Sequence, residues 1–253
     1  MAAAPVRLAM WVHSGQGRER KVYQECMRVL NASQREVKVE LTFLPEGSYD
    51  SQVQAAAFAG KLPALLEFDG PYLYNYAWSQ SIIPLDGFPE IHSLMPDMLP
   101  TLVHQGTYRG RLYAVGLYES GLAIWGNRRL LAKAGVEIPG RLEDAWDLAA
   151  FQGVLARLKA SGVPFPLDMK FNYGAGEWFS FGFAPIIQSF GGDLIDRSSY
   201  RTADGCINGP AAVKAMTLVQ GWVRQGYVNA AARDDSDFIQ GRSALSYVGH
   251  WAY

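Results

Sequence analysis

Three short apolar runs, each ended by polar residues and separated by helix-length segments, constrain the first third of the chain more than any other feature. Leu8-Ala9-Met10-Trp11-Val12 stops at His13-Ser14-Gly15-Gln16-Gly17. A helix is predicted over 18–32, with Val22, Cys26, Val29 and Leu30 spaced to share one apolar face. Residues 37–43 then alternate as a half-buried strand and stop before Pro45. Ser51 is placed to cap a second helix carrying Val53, Ala56, Ala57 and Phe58, closed by Gly60. Leu65-Leu66-Glu67-Phe68 is a third strand, running into Asp69-Gly70-Pro71. Strand–helix–strand–helix–strand order requires a parallel sheet with helices on its faces.

In open sheets of this kind ligands bind beyond the carboxyl ends of the strands. Those ends carry His13, Ser14 and Gly15, then Glu46 and Tyr49, then Asp69. Polar and aromatic residues placed just after apolar runs are the first pointer to function.

After a proline-marked stretch (Pro84, Pro89, Pro96, Pro100) the chain breaks near Gly106-Thr107-Tyr108-Arg109-Gly110. Extended structure is expected over 112–117 and 122–125. Helices are expected over 128–134, 148–160, 178–190, 210–225 and 236–240, and a last strand over 244–248. Two α/β lobes follow, with a boundary near Gly110.

Composition closes several routes. A net charge of -1 over 253 residues gives no field to recruit nucleic acid or anionic lipid. No run approaches the roughly 20 apolar residues of a membrane span. Cys26 and Cys206 lack metal-ligand spacing and read as two small buried thiols, with a disulfide as the alternative. The four histidines are scattered, so no zinc motif exists. Gly15-Gln16-Gly17 lacks the third glycine of a dinucleotide fingerprint, since Arg20 stands there, and no Gly-x-Ser-x-Gly elbow occurs. No catalytic residue, metal or cofactor is assigned.

The aromatic residues say more. Several sit in polar or glycine-bearing contexts: Tyr72 and Tyr74 after Asp69, Tyr118 beside Glu119, Trp178 after Gly176-Glu177, and Trp251 after Gly249-His250. A sugar offers an apolar C–H face that a ring can cover and a rim of hydroxyls that carboxylates can accept from.

Six segments resemble the extracellular solute-binding proteins of the maltose-binding-protein class, which serve carbohydrate ABC importers. They are Ala56-Ala57-Phe58-Ala59-Gly60-Lys61-Leu62-Pro63; Phe68-Asp69-Gly70-Pro71 through Ile83-Pro84-Leu85-Asp86; residues 110–115; residues 124–135; Trp146; and Phe238-Ile239-Gln240-Gly241-Arg242-Ser243-Ala244-Leu245 with Gly249-His250-Trp251. The resemblance implies a two-lobed periplasmic-binding-protein-like α/β fold. Each lobe is a mainly parallel sheet flanked by helices, with a ligand cleft at the hinge. It divides the chain into an N-terminal lobe (1–110), a hinge crossing (111–118) and a C-terminal lobe (119–253).

Carried over position by position, the resemblance places ligand contact at His13, Ser14, Asp69, Tyr118, Glu119, Trp178, Gly249, His250 and Trp251. Glu46 joins them from its strand-end position. Asp69 and Glu119 would accept from hydroxyls, Trp178 and Trp251 would stack, and the Gly249 amide would donate from a helix N-terminus. Ala64 departs from the family's Asp, and Trp125-Gly126-Asn127-Arg128 departs from its Tyr-Asn-Lys pattern, which makes Trp125 a further platform. Members continue well past Gly-x-Trp, so the chain is expected to be truncated at its C-terminal end.

The function implied is reversible capture of a sugar or short oligosaccharide and its delivery to ABC permease subunits. The protein would be monomeric, non-enzymatic, periplasmic or extracellular, with lipid anchoring as a further expectation and its signal segment removed. It would have no nucleic-acid partner. Two rivals stand beside it: a glycoside hydrolase using Asp69 and Glu119, and a binding protein for a non-sugar solute such as a polyamine or glycerophosphodiester.

Overall fold

A computed structural model describes residues 4–174 and 176–252. The chain divides into two compact units, Met1–Glu119 and Ser120–Tyr253.

In the first unit β1 (Val6–His13), β2 (Val37–Leu44) and β3 (Leu65–Leu66) form a sheet in the order β2-β1-β3, with both pairings parallel. The crossovers are α1 (Gly17–Ser33) and α2 (Tyr49–Phe58). His13 pairs with Leu44, and Trp11 with Leu66, so the carboxyl ends of all three strands emerge on one edge.

The face of α1 is not the one its hydropathy suggests. Val22, Cys26, Val29 and Leu30 are exposed, and Tyr23 is the buried residue of this helix. A polar contact helps set the rotation. β2 is an edge strand, and the Asn31 amide both donates to and accepts from Val39 at 2.9 Å, satisfying the edge backbone groups that would otherwise face water. Cys26 is therefore an exposed thiol, and neither cysteine is paired. In α2 the N-cap is Ser48 rather than Ser51. Tyr49 and Val53, one turn apart, face inward, while Phe58 is 97% exposed.

The remainder of this unit is α3 (Leu73–Trp78), α4 (Pro89–Leu94), α5 (Pro100–Gln105) and a hairpin of β4 (Thr107–Tyr108) and β5 (Arg111–Leu112). The extended segment expected over 112–117 ends at Leu112 as a strand, and residues 113–121 carry neither helix nor strand. A small core forms where Tyr49, Val53 and Tyr76 meet Trp11, Leu44, Leu66 and Phe68.

The second unit has β6 (Leu122–Gly126), β7 (Leu167–Asp168) and β8 (Leu245–Gly249) in the order β6-β8-β7. This sheet is mixed: β6 runs against β8 and β7 runs with it. Its helices are α6 (Arg128–Lys133), α7 (Leu148–Ala160), α8 (Glu177–Ser189), α9 (Pro210–Arg224) and α10 (Ser236–Ile239). β7 has no signature in the sequence because two residues are too few for alternation to show. Val154, Leu155 and Leu158 of α7 bury against Trp222 of α9 and Leu245 and Val248 of β8, forming a core much larger than that of the first unit. Beneath it, Lys170 is fully buried between Asp168 (2.8 Å) and Asp235 (2.9 Å). Among the described residues no helix is long and apolar enough to cross a membrane.

Candidate functional site

The strand ends of the first unit gather charge. Glu67, one residue beyond β3, accepts from both the backbone N–H of His13 (2.9 Å) and its Nδ1 (2.6 Å) through Oε2. On the other side of the ring, Nε2 lies 3.7 Å from Asp69 Oδ2. The imidazole stacks on Tyr49 with centroids 3.5 Å apart, and the Tyr49 hydroxyl donates to the Glu67 carbonyl. Tyr49 thus fixes both ring and carboxylate backbone.

Burial alone would lower the His13 pKa. The hydrogen bond that Nδ1–H donates to Glu67, and the charges of Glu67, Asp69 and Glu46, outweigh it and raise the pKa to about 9. His13 is an imidazolium at neutral pH, protonated on both ring nitrogens, with Nδ1–H donating to Glu67 and Nε2–H facing Asp69.

The turn after β1 closes the cluster. Gly15 N–H donates to Glu46 Oε2 (3.2 Å), and Glu46 N–H donates to Ser14 Oγ (3.2 Å). Burial pushes the Glu46 carboxyl above its ordinary value. Glu19, in the first turn of α1, accepts from Gln16 N–H and from the Tyr118 hydroxyl (2.6 Å). His13, Ser14, Glu46 and Asp69 are therefore brought together, and Tyr118 is tied to the same turn. Glu119 is exposed beside it.

Hydropathy reading missed Glu67 and Glu19. For Glu67 a signal existed: an acid inside an apolar run, two residues before another acid. Asp69 is half-exposed, 52% at its side chain.

In the second unit Trp178 is only 6% exposed, and its indole N–H donates to Met169 O at 3.1 Å. Tyr173, Phe181, Tyr247 and Trp251 surround it with centroids 5.2–6.5 Å away. Its ring serves as a buried support for that aromatic group. Trp251, half-buried, folds over Gly249 so closely that a Cβ there would lie 1.7 Å from the indole, and only glycine fits. His250 is exposed, with Nδ1 3.5 Å from Ser120 Oγ. A single 3₁₀ turn, His250–Ala252, follows Gly249. Trp125 packs against the same core cluster as Trp178. Among the described residues no group of His, Cys, Asp and Glu side chains is placed to hold a metal ion.

The family model of the bacterial extracellular solute-binding proteins matches residues 28–253. No curated protein matches the chain. Among solved structures, an ABC substrate-binding protein of Listeria monocytogenes in complex with cycloalternan superposes with a TM-score of 0.80 at 17% identity, over 98% of this chain. The GacH receptor of Streptomyces glaucescens, solved unliganded and with acarbose, gives 0.78 at 22% over 99%. UgpB of Mycobacterium tuberculosis, in complex with glycerophosphocholine, gives 0.78 at 19% over 98%. The chain spans 62% of the length of each of these three structures. By family match and by the two-lobed α/β fold it shares with them, the chain belongs to the bacterial extracellular solute-binding proteins.

Proposed function

We propose that the chain binds a sugar or short oligosaccharide reversibly, for delivery to the membrane permease of an ABC importer, and does no chemistry on it. The observation that carries this reading is the strand-end cluster beyond a parallel sheet: an imidazolium hydrogen-bonded to Glu67 with Asp69 3.7 Å from its other nitrogen, and Glu46 held by the N–H of Gly15 in the adjoining turn. Carboxylates pinned by backbone N–H groups accept from neighbouring hydroxyls, and the His13 ring donates to a sugar oxygen.

On this reading His13, Ser14, Glu46, Asp69, Tyr118 and Glu119 serve as the first lobe's contacts. Trp125, Trp178, Gly249, His250 and Trp251 serve the second, with Trp251 as the stacking ring and Trp178 as the buried ring behind it. Residues 111–118 act as the crossing between lobes 1–110 and 119–253. The protein works outside the cytoplasm, as a monomer, without a cofactor or nucleic acid; lipid anchoring belongs to the same proposal. Acarbose and cycloalternan, named with two of the similar structures, set the class of sugar to try first.

Against the hydrolase rival, Asp69 and Glu119 are both exposed, whereas a glycosidase acid needs an enclosed apolar setting. The test is a melting-temperature screen of mono- and oligosaccharides, with glycerophosphocholine as the non-sugar arm. A bound sugar is expected to raise the melting temperature, to lose most of its effect in Asp69→Asn, and to be recovered unaltered. Recovery of a cleaved sugar, or a response to glycerophosphocholine alone, would overturn the reading.

A further inference from the structure

A cavity of about 250 Å³ shares no lining residue with the strand-end cluster. The end of α3 and the β4–β5 hairpin build it from Trp78, Gln80, Tyr108, Arg109, Arg111 and Tyr113. Two guanidinium groups and three aromatic rings make it a cationic pocket with flat walls.

The cations are available. Among the described residues no carboxylate pairs with Arg109, whose guanidinium carbon lies 5.3 Å over the Tyr108 ring. Arg111 uses Nε on Asp86 Oδ2 at 3.2 Å, which leaves its outer N–H groups for another acceptor. Asp86 itself is held ionised: the backbone N–H of Leu112 and the Arg111 side chain keep its pKa below the usual range. Trp78, 70% exposed, presents its indole at the mouth of this cavity.

The backbone points the same way. Four non-glycine residues among those described have left-handed φ, and two of them, Gln80 (φ 58) and Arg109 (φ 50), line this one cavity. The hairpin turn Arg109–Gly110 is left-handed at both central residues, where Asn-Gly or Asp-Gly is the favoured pair. An arginine there is carried against local preference, and such strain collects at functional sites.

We propose that this cavity binds a small soluble molecule in which an oxyanion, phosphate or carboxylate, is borne on a flat ring. The oxygens meet the Arg109 and Arg111 forks, which match oxyanion geometry through paired N–H donors. The ring lies against Trp78, Tyr108 or Tyr113. The site is separate from the sugar reading and stands or falls without it.

The test is calorimetric titration of the chain with phenyl phosphate, beside inorganic phosphate and phenol, which each carry half of the recognised chemistry. Expected is one-site saturation by phenyl phosphate, weakened as salt rises, with both halves binding more weakly. Arg109→Asn is expected to cut affinity by about tenfold or more without lowering the melting temperature, since Asn suits the left-handed turn. Trp78→Ala, at an exposed position, is expected to cut it several-fold, and Asp69→Asn to leave it unchanged. No saturation at millimolar phenyl phosphate, parent-like binding by Arg109→Asn and Trp78→Ala together, or binding only to anionic lipid vesicles would overturn the proposal.

Discussion

Each unit holds a cation between two carboxylates, and the two clusters do opposite jobs. In the first unit His13, 11% exposed at its side chain, meets Glu67 inside and the open Asp69 outside. In the second unit Lys170 is sealed, with Asp168 and Asp235 both within 2.9 Å, and its backbone is held in the left-handed region. An open cluster can exchange an internal partner for a ligand hydroxyl at little cost. A sealed one cannot, since removing either partner strands a buried charge. Charge at the strand ends therefore reads as a binding surface, and charge under the second sheet as a brace for the loop that leads to Tyr173 and Trp178.

The sharpest way to break this comparison is to remove the brace. Lys170→Met leaves Asp168 buried without its cation and is expected to cost about 3–5 kcal/mol, read as the urea midpoint. A loss below about 1 kcal/mol would mean water reaches the cluster and the contrast is false.

The open cluster has a pH signature of its own. The folded pKa of His13 lies above its ordinary 6.5, at about 9. The stabilisation it brings is therefore complete below about pH 6.5 and is lost as pH rises through about 9. Its size is at most about 3.5 kcal/mol, because the shift from 6.5 to about 9 is about 2.5 pKa units of 1.36 kcal/mol each. Glu67→Gln removes the hydrogen-bonding charge, so the His13 midpoint by NMR is expected to fall toward its ordinary value. A midpoint near 9 that survives this change would assign the shift elsewhere.

Core size sharpens the contrast further. Leu155→Ala, in the large core of the second unit, is expected to cost about 3 kcal/mol. Val53→Ala, in the small core of the first, should cost nearer 1–2, since less packing surrounds it. Amide exchange should show α7 better protected than α2; the reverse order would reject this ranking. The smallest effect is at Cys26. Its exposed thiol should react with a disulfide reagent in the folded chain faster than the half-buried Cys206, with no loss of stability.

Much of the architecture was legible in the sequence because hydrophobic period and glycine stops act locally. α7 spans Leu148–Ala160, as its apolar spacing and Gly162 imply, and β1, β2 and β3 follow the three apolar runs. What escaped depends on contacts between elements. The apolar stripe counted along α1 does share one face, but that face is exposed, and it is Asn31 that bonds α1 to the edge of β2. β7 is too short to carry a pattern. At the strand ends His13, Ser14, Glu46 and Asp69 could be named in advance because topology sends them to one edge. Glu67 could not be ranked, because its partner His13 is 54 residues away. Trp178 looked like an exposed platform in its glycine-bearing context, yet the neighbouring rings and the Met169 carbonyl enclose it.

The claim that the strand-end cluster receives sugar hydroxyls is tested most directly by following the backbone N–H signals of His13 and Gly15 during titration with the sugar that most raises the melting temperature. These two groups donate to Glu67 and Glu46, so hydroxyls arriving on the same carboxylates must perturb them. Saturable shifts at both, with the dissociation constant found by calorimetry, are the expected result. A sugar that binds at full stoichiometry while both signals stay unmoved would contradict the account.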